Sequence, residues 1–389
     1  MNTFDPTAEH SAIRIGVAQV CAGFPGKYWR ELDAKREYPE AFVHALVESG
    51  FLAAMVPEEY GGSGLNLTAA AVILEEIHRN GCNAAACHAQ MYTMGTVLRH
   101  GSAEQKRQYL PRIADGTLRL QAFGVTEPGS GTDTLALTTT ATRDGDDYVV
   151  KGQKIWISRA QQSDLMVLLA RTETRRTLQK KTDGLSVFLI DLRKLVGHGV
   201  TIKPIRTMIN HSTTEVFFDN ARIPASALIG EKGKGFGYIL SGMNAERILI
   251  AAECIGDAKW FLEKGSAYAK ERVVFGHPIG RNQGIQFPLA RAYVHMLAAE
   301  AIVYRAAAMY DSGINPGVEA NAAKMLAADA SWEAGEACLQ THGGFGFAEE
   351  YDVERKFRET RLYQVAPIST NLILCFIAER VLGLPKSYI

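Results

Sequence analysis

An acid and a base stand side by side at Glu246 and Arg247, inside a run that is otherwise almost wholly apolar (ERILIAAECIG, 246–256). On a helix, Glu246 shares a face with Leu249, Ile250 and Glu253. A carboxyl on the edge of so apolar a helix is a candidate for a raised pKa, and so for general-base work near neutral pH. Taken alone, it reads equally as a helix-face acid paired with a local base. A second constellation, FGVTEPGSGTD (123–133), has the composition of a ligand-holding turn. Gly129 and Gly131 permit tight turns and close backbone approach. Val125, Thr126 and Thr132 can present N–H groups or hydroxyls to a ring edge and a phosphate. With no ligand, the same stretch is an ordinary glycine-rich β-turn. Trp156 offers a flat apolar surface that could stack on a ring or fill a core.

These residues need elements to hold them, and the periodicity supplies three segments. Residues 40–54 and 67–79 repeat apolar side chains at helical spacing on either side of the turn-rich PEEYGGSG (57–64). Further helices are expected at 83–99 and 104–110, the latter stopped by Pro111. Between residues 122 and 232 the period changes. TTTATRDGDDYVVKGQKIWIS (138–158) places β-branched and aromatic runs around an Asp-Gly turn, a hairpin signal, and 165–171, 184–192 and 214–223 read as further strands. Long helices return over 236–272, 286–310, 317–342 and 370–384 and read as a four-helix bundle. The expected class is α+β: an N-terminal helical domain (1–121), a middle β domain (122–232) and a C-terminal helical bundle (233–389).

Composition narrows the function classes. Lys plus Arg equals Asp plus Glu at 42 each, so no cationic excess draws the chain to nucleic acid or anionic lipid. The six cysteines form no Cys-x-x-Cys pair and no zinc-ligand spacing, and read as reduced thiols with no metal to bind. The start MNTFDPTAEH lacks the pattern of a signal peptide, and no apolar stretch reaches membrane-spanning length. A cytoplasmic protein is the expectation.

Seven motifs in one order carry a resemblance over nearly the whole chain: PEEYGGSG (57–64), FGVTEPGSGTD (123–133), GQKIWIS (152–158), GEKGKGF (230–236), ERVVFGHPIGRNQGIQ (271–286), QTHGGFGFAEEYDVERKFRE (340–359) and YQVAPIST (363–370). Together they resemble the acyl-CoA dehydrogenase family. The resemblance implies FAD as cofactor, with Phe123, Val125, Thr126, Gly131 and Thr132 at the flavin, Trp156 packed on its ring, and Ile157, Ser158 and Ser369 nearby. It implies that Arg272, Phe275, Gln283, Gln340, Gly343 and Gly344 clasp the FAD of a neighbouring subunit, hence a homo-oligomer, tetramer or dimer. Thr132, Arg247, Tyr92 and Met94 fall at substrate positions, Arg247 toward the CoA side. His88, Gln90, Tyr92 and Met94 lie on the helix that lines the acyl tail in the family. For His342, beside the cofactor glycines, a structural ring bonded to backbone is expected.

The reaction implied is α,β-dehydrogenation of an acyl-CoA thioester: a carboxylate removes the α-proton, the β-hydrogen leaves as hydride to flavin N5, and an electron-transfer flavoprotein takes the electrons. The position where many members carry the base is Pro367 here, which has neither an acid nor a backbone N–H to offer the thioester carbonyl. Glu246, directly before Arg247, matches the placement of the isovaleryl- and long-chain-type enzymes and is the expected base. Two alternatives stay open. One is a same-fold flavoenzyme of different chemistry (desulfinase, nitroalkane oxidase or monooxygenase). The other is a non-catalytic acyl-CoA binding subunit.

Overall fold

In the structure, a computed structural model describing residues 10–173, 180 and 182–387, helices flank a single large sheet in sequence order. Residues 1–9, where a leader would begin, lie outside the described residues. The helices are α1 (Ser11–Ala22), α2 (Gly26–Lys35), α3 (Glu40–Glu48), α4 (Leu67–Arg79), α5 (Ala85–His100), α6 (Ala103–Ala114), α7 (Leu192–Leu195), α8 (Gly235–Glu271), α9 (Gln283–Asp311), α10 (Gly317–His342), α11 (Val353–Leu362) and α12 (Thr370–Phe376). The strands of the large sheet are β1 (Leu120–Gly124), β2 (Thr140–Asp144), β3 (Asp147–Ser158), β4 (Leu165–Arg171), β5 (Leu185–Asp191), β6 (Val200–Pro204), β7 (Thr213–Pro224) and β8 (Leu228–Ile229). A small hairpin pairs β9 (Val273–Val274) with β10 (His277–Pro278).

By contact, the chain divides into two compact units, each discontinuous in sequence. One comprises Arg36–Leu65 and Ala85–Met243 and contains the whole large sheet. Its order is β6-β7-β3-β2-β4-β5-β8, with β1 added parallel to β4. The β2–β3 hairpin turns at Asp144–Asp147, as the Asp-Gly signal requires. Strands β4 and β5 are buried on both faces. Met166, Leu168, Phe188 and Ile190 enter one apolar cluster. Val167, Leu169, Val187 and Leu189 enter another with Val97 of α5 and Leu110 of α6. That double burial explains why these strands read as continuous apolar runs.

The other unit comprises Met1–Lys35, Asn66–Ala84 and Asn244–Ile389. Its framework is α9 packed along α10, with α11 against α10 and α4 against α1 and α9. Buried ion pairs tie the helices together: His78 Nδ1 lies 2.8 Å from Asp257 Oδ1, and Lys356 Nζ pairs with Asp257 and with Glu359 at 3.0 Å.

Several boundaries depart from the periodicity. The 40–54 run is two pieces, because Gly50 takes a left-handed φ of 75° and a 3₁₀ turn follows. Helix α6 runs through Pro111 to Ala114; its start is secured by a Ser102–Gln105 capping box, and the proline removes only one bond near its end. The expected helix over 370–384 ends as a single π turn after Phe376, and Gly383 has a positive φ of 69°. The C-terminal segment therefore has three long helices, of 37, 29 and 26 residues, and shorter ones rather than four of similar length.

Candidate active site

In the sheet-bearing unit, two motifs far apart in sequence are locked together by a buried ion pair. Lys154 is fully buried on β3, and its Nζ donates to Val125 O at 3.0 Å and to Glu127 Oε1 at 2.8 Å. Glu127 also accepts from Thr138 N (2.6 Å), Thr138 Oγ1 (2.8 Å) and Thr139 N (2.9 Å). Burial pushes this carboxyl up, but Lys154 and the three donors outweigh it and hold it at about 2. Burial likewise lowers Lys154 to about 8 against the pull of Glu127, so both stay charged at neutral pH. A backbone bond from Ile155 N to Thr126 O (3.0 Å) completes the seam. Neither Lys154 nor Glu127 was picked out from the sequence, although both sit inside the quoted motifs.

The seam explains the posture of Trp156. Strict alternation would put Lys154 and Trp156 on one side of β3 and Ile157 on the other. Instead the β3–β7 register shifts between Lys154 and Ile157, and both of those residues turn inward. Trp156 takes the odd place, with φ 60° and its side chain 58% exposed. A core tryptophan is thereby ruled out, and a left-handed backbone at a bulky residue is costly. Beside it, Val125 and Thr126 are half-buried, and Phe123 meets Tyr92 of α5 edge-on at 5.3 Å. Ser158 Oγ accepts from Asn210 Nδ2 at 2.8 Å. Gly131 and Thr132 are exposed, and a Cβ built on Gly129 or Gly131 would meet no protein atom within 4 Å. These glycines relieve no crowding within the chain. An uncovered indole face beside an open, donor-bearing loop fits a planar cofactor ring carrying a phosphate. Tyr92 thus joins this group, whereas Met94 sits fully buried in the apolar core with Val97 and Leu110.

In the other unit, Arg272, Gln340, Gly343 and Gly344 line one open cavity of about 580 Å³ with Tyr268, His342 and Phe345. Arg272 lies over the Phe345 ring at 5.5 Å. Gly343 ends α10 at φ 56°, a conformation suited to glycine. His342 donates from Nδ1 to the Cys338 carbonyl at 2.8 Å and stacks on Tyr268 at 4.1 Å, the structural posture expected of it. Phe275 is 96% exposed at φ 52° on the β9–β10 turn, and Gln283 is exposed at the start of α9; neither lines the cavity.

Glu246 and Arg247 occupy successive positions of α8 in this same unit, both about nine-tenths buried. Burial raises the Glu246 carboxyl to about 7, the charge of Arg247 only partly opposing it. No hydrogen bond to its carboxylate is present among the described residues. Arg247 Nη1 donates to Asn244 Oδ1 at 2.9 Å, and among the described residues its Nε has no partner. Pro367 is half-buried in the segment before α12. The next residue, Ile368, is held by its carbonyl, which accepts from the fully buried Lys324 Nζ at 2.9 Å. Ser369 uses its hydroxyl to cap α12, accepting from Leu372 N at 3.3 Å. Lys324 was not foreseen; only its place in an otherwise small-residue helix could have signalled it. No cluster able to hold a metal ion, and no helix long and apolar enough to cross a membrane, occurs among the described residues.

Comparison with known proteins bears directly on this arrangement. Three family models match: the N-terminal domain of acyl-CoA dehydrogenase over residues 7–117, its middle domain over 122–221 and its C-terminal domain over 233–382. Acyl-CoA dehydrogenase FadE12 of Mycobacterium tuberculosis is 34% identical over 389 residues, covering 99% of each chain. An acyl-CoA dehydrogenase of Bacillus subtilis is 34% identical over 350 residues, 89% of this chain and 91% of the other. Among solved structures, butyryl-CoA dehydrogenase from Megasphaera elsdenii superposes with a TM-score of 0.90 at 28% identity, covering 98% of this chain and 100% of that one.

Proposed function

This chain belongs to the acyl-CoA dehydrogenase family of FAD-dependent oxidoreductases, and from that premise we propose that it oxidises the α,β C–C bond of an acyl-CoA thioester with Glu246 as the base. The observation that carries the reading is the state of Glu246. It is an enclosed carboxyl with a pKa of about 7, free of hydrogen bonds among the described residues, followed on its helix by the buried apolar run Ile248–Ala252. Such a group is ionised for a useful fraction of the time at neutral pH, yet is basic enough to take a weakly acidic α-proton. At position 367, where a base would otherwise be sought, there is a proline.

Bound FAD supplies the acceptor for the β-hydride. The chain's own share is positioning. The Lys154–Glu127 seam sets Trp156, Val125 and Thr126 as a platform for the ring. Arg272 and the Gly343–Gly344 turn offer a cationic, open-backboned wall to a phosphate-bearing group. Burial keeps water from the Glu246 carboxylate. We further propose an acyl-CoA of short, medium or branched chain as substrate and an electron-transfer flavoprotein as electron acceptor.

Anaerobic stopped-flow of the holoenzyme against a panel of acyl-CoAs tests this. Rapid loss of the oxidised flavin band, with the enoyl-CoA as product, is expected for at least one thioester. Glu246→Gln should bind that thioester and leave the flavin oxidised; reduction at the parent rate would remove Glu246 from the role. Pro367 is the observation favouring a second reading, a same-fold flavoenzyme of different chemistry. No bleaching across the panel by FAD-replete protein would select it.

A further inference from the structure

The end of β3 is held by side chains and backbone from beyond its own ladder. Arg159 N donates to Ser212 O at 2.7 Å, and Thr214 Oγ1 donates to Ile157 O at 2.7 Å. Ile157 turns inward and is buried, so Ser158 beside it turns to the opposite side, which by alternation it shares with Trp156. The loop between β6 and β7, residues 205–212, reaches the same place. Its Asn210 has a left-handed φ of 56°, a conformation asparagine tolerates better than most residues. The Asn210 carbonyl accepts from Thr213 Oγ1 (2.6 Å), Thr213 N (3.1 Å) and Thr207 Oγ1 (3.3 Å), and Ile205 N donates to Thr213 O at 2.8 Å. These bonds fix the point from which the Asn210 side chain starts. Its Nδ2 donates to Ser158 Oγ at 2.8 Å. An amide NH₂ can only donate, so the serine oxygen must accept. A hydroxyl that accepts still carries its proton, and no acceptor for that proton is present among the described residues. The proton is turned away from Asn210 and left for an acceptor from outside the chain.

We infer that Asn210 is a positioning residue for bound FAD: by donating to Ser158 Oγ it makes that hydroxyl a donor to an acceptor on the edge of the flavin ring. The inference rests on the flavin standing at Trp156 and Thr126, as in the reading above, and not on which thioester is oxidised. Asn210 itself touches Ser158 and acts only through it. A hydrogen bond to the ring edge is stronger when the ring is reduced, because the ring then holds more electron density. The bond therefore favours reduction and makes the bound cofactor a better hydride acceptor. Sequence gave no hint of this pairing, since residues 158 and 210 lie on different elements. The simpler explanation of Asn210 is that position 210 needs a left-handed backbone and nothing more. On that explanation glycine would serve as well.

Reductive titration of the FAD-loaded protein against a reference dye, with no acyl-CoA present, separates the two. Asn210→Asp keeps the shape of the side chain and its tolerance of a left-handed φ, but its carboxylate can only accept. Ser158 must then donate back to residue 210, and the ring edge loses its donor. The equilibrium constant for FAD reduction should fall about tenfold, which for a two-electron couple is a potential lower by about 30 mV. Asn210→Gly keeps the backbone and frees the serine hydroxyl to rotate, so the fall should be smaller, about threefold. In a Ser158→Ala background Asn210→Asp should change the potential little, because the group it acts through is gone. An unchanged potential in Asn210→Asp would overturn the inference, for Ser158 would then already donate to residue 210. An Asn210→Asp effect of equal size with and without the Ser158 hydroxyl would overturn it too, as a consequence of added charge alone. Asn210→Gly with the parent's potential would overturn it in favour of the backbone explanation. Each outcome is readable even if no acyl-CoA bleaches the parent, so failure of the dehydrogenase reading and failure of this inference stay distinct.

Discussion

Glu246 shows how a single side chain can link stability to activity. Its folded pKa of about 7 lies above the 4.5 of a free carboxyl. Between those values the folded state holds a proton that the unfolded state has released. The resulting stabilisation is complete below pH 4.5 and is lost as pH rises through about 7. At pH 8 the difference amounts to about 3 kcal/mol. Glu246→Gln should therefore raise the apo-protein's Tm at pH 8 and change it little at pH 5; a uniform shift at both would deny the raised pKa. As a base, the same group must be ionised, so kcat/KM should fall on the acid side with a limb near pH 7, read from initial rates between pH 5.5 and 8.5. The acid was visible in the sequence because its setting, ERILIAAECIG, is so apolar. Whether it was paired was not, since partners on other elements leave no trace in spacing. Trp156 was harder still. A tryptophan in a β-rich run reads as core, and only the register shift against β7 turns it outward.

The β3 strand and the loop after β1 behave as one element because of Lys154 and Glu127, 27 residues apart. Both motifs were legible as ligand-holding pieces, and the strands at 138–158, 165–171, 184–192 and 214–223 were placed to within a residue or two, whereas β1, which leads into the loop, was not foreseen. Their joining was not legible, because an ion pair between a strand and a distant loop has no periodicity. Removing one partner is the informative change. Lys154→Met leaves a buried carboxylate that burial alone would push up, and should cost about 3–5 kcal/mol. The double variant Lys154→Met/Glu127→Gln should recover part of that in a denaturant series, and full additivity of the two changes would show the pair to be uncoupled. Glu127, held at about 2, contributes the opposite pH dependence to Glu246. Its stabilisation is present above pH 4.5 and lost as pH falls toward 2, so the parent should lose stability in acid faster than the double variant. FAD release from Lys154→Met should accelerate as well, since Trp156 and Thr126 are aimed by this seam.

At the scale of the whole molecule, the long helices were the most legible part of the fold, yet the period alone did not say which of their faces are covered. On α9, Phe287, Tyr293, Val294 and Leu297 remain 55%, 45%, 60% and 44% exposed. At 100° per residue these four fall within a stripe about 120° wide, the width of a helix face meant for burial. Scattered exposed apolar residues need no explanation, but a continuous stripe on a single helix marks an interface. Phe275, almost wholly exposed on a left-handed backbone, and the cavity lined by Arg272, Gln340 and Gly344 belong to the same unit. We propose that a second copy of the chain covers the α9 face, and light scattering on size-exclusion fractions should return at least a dimer. Val294→Glu with Leu297→Glu puts two charges into that stripe without touching the buried side of α9, so secondary structure should persist while the mass falls to the monomer's 42.5 kDa. If residues of one copy also grip the FAD of the other, the monomer should lose its yellow colour with its partner. A colourless, folded monomer would tie cofactor retention to assembly, whereas a yellow one would confine the whole cofactor site to a single chain.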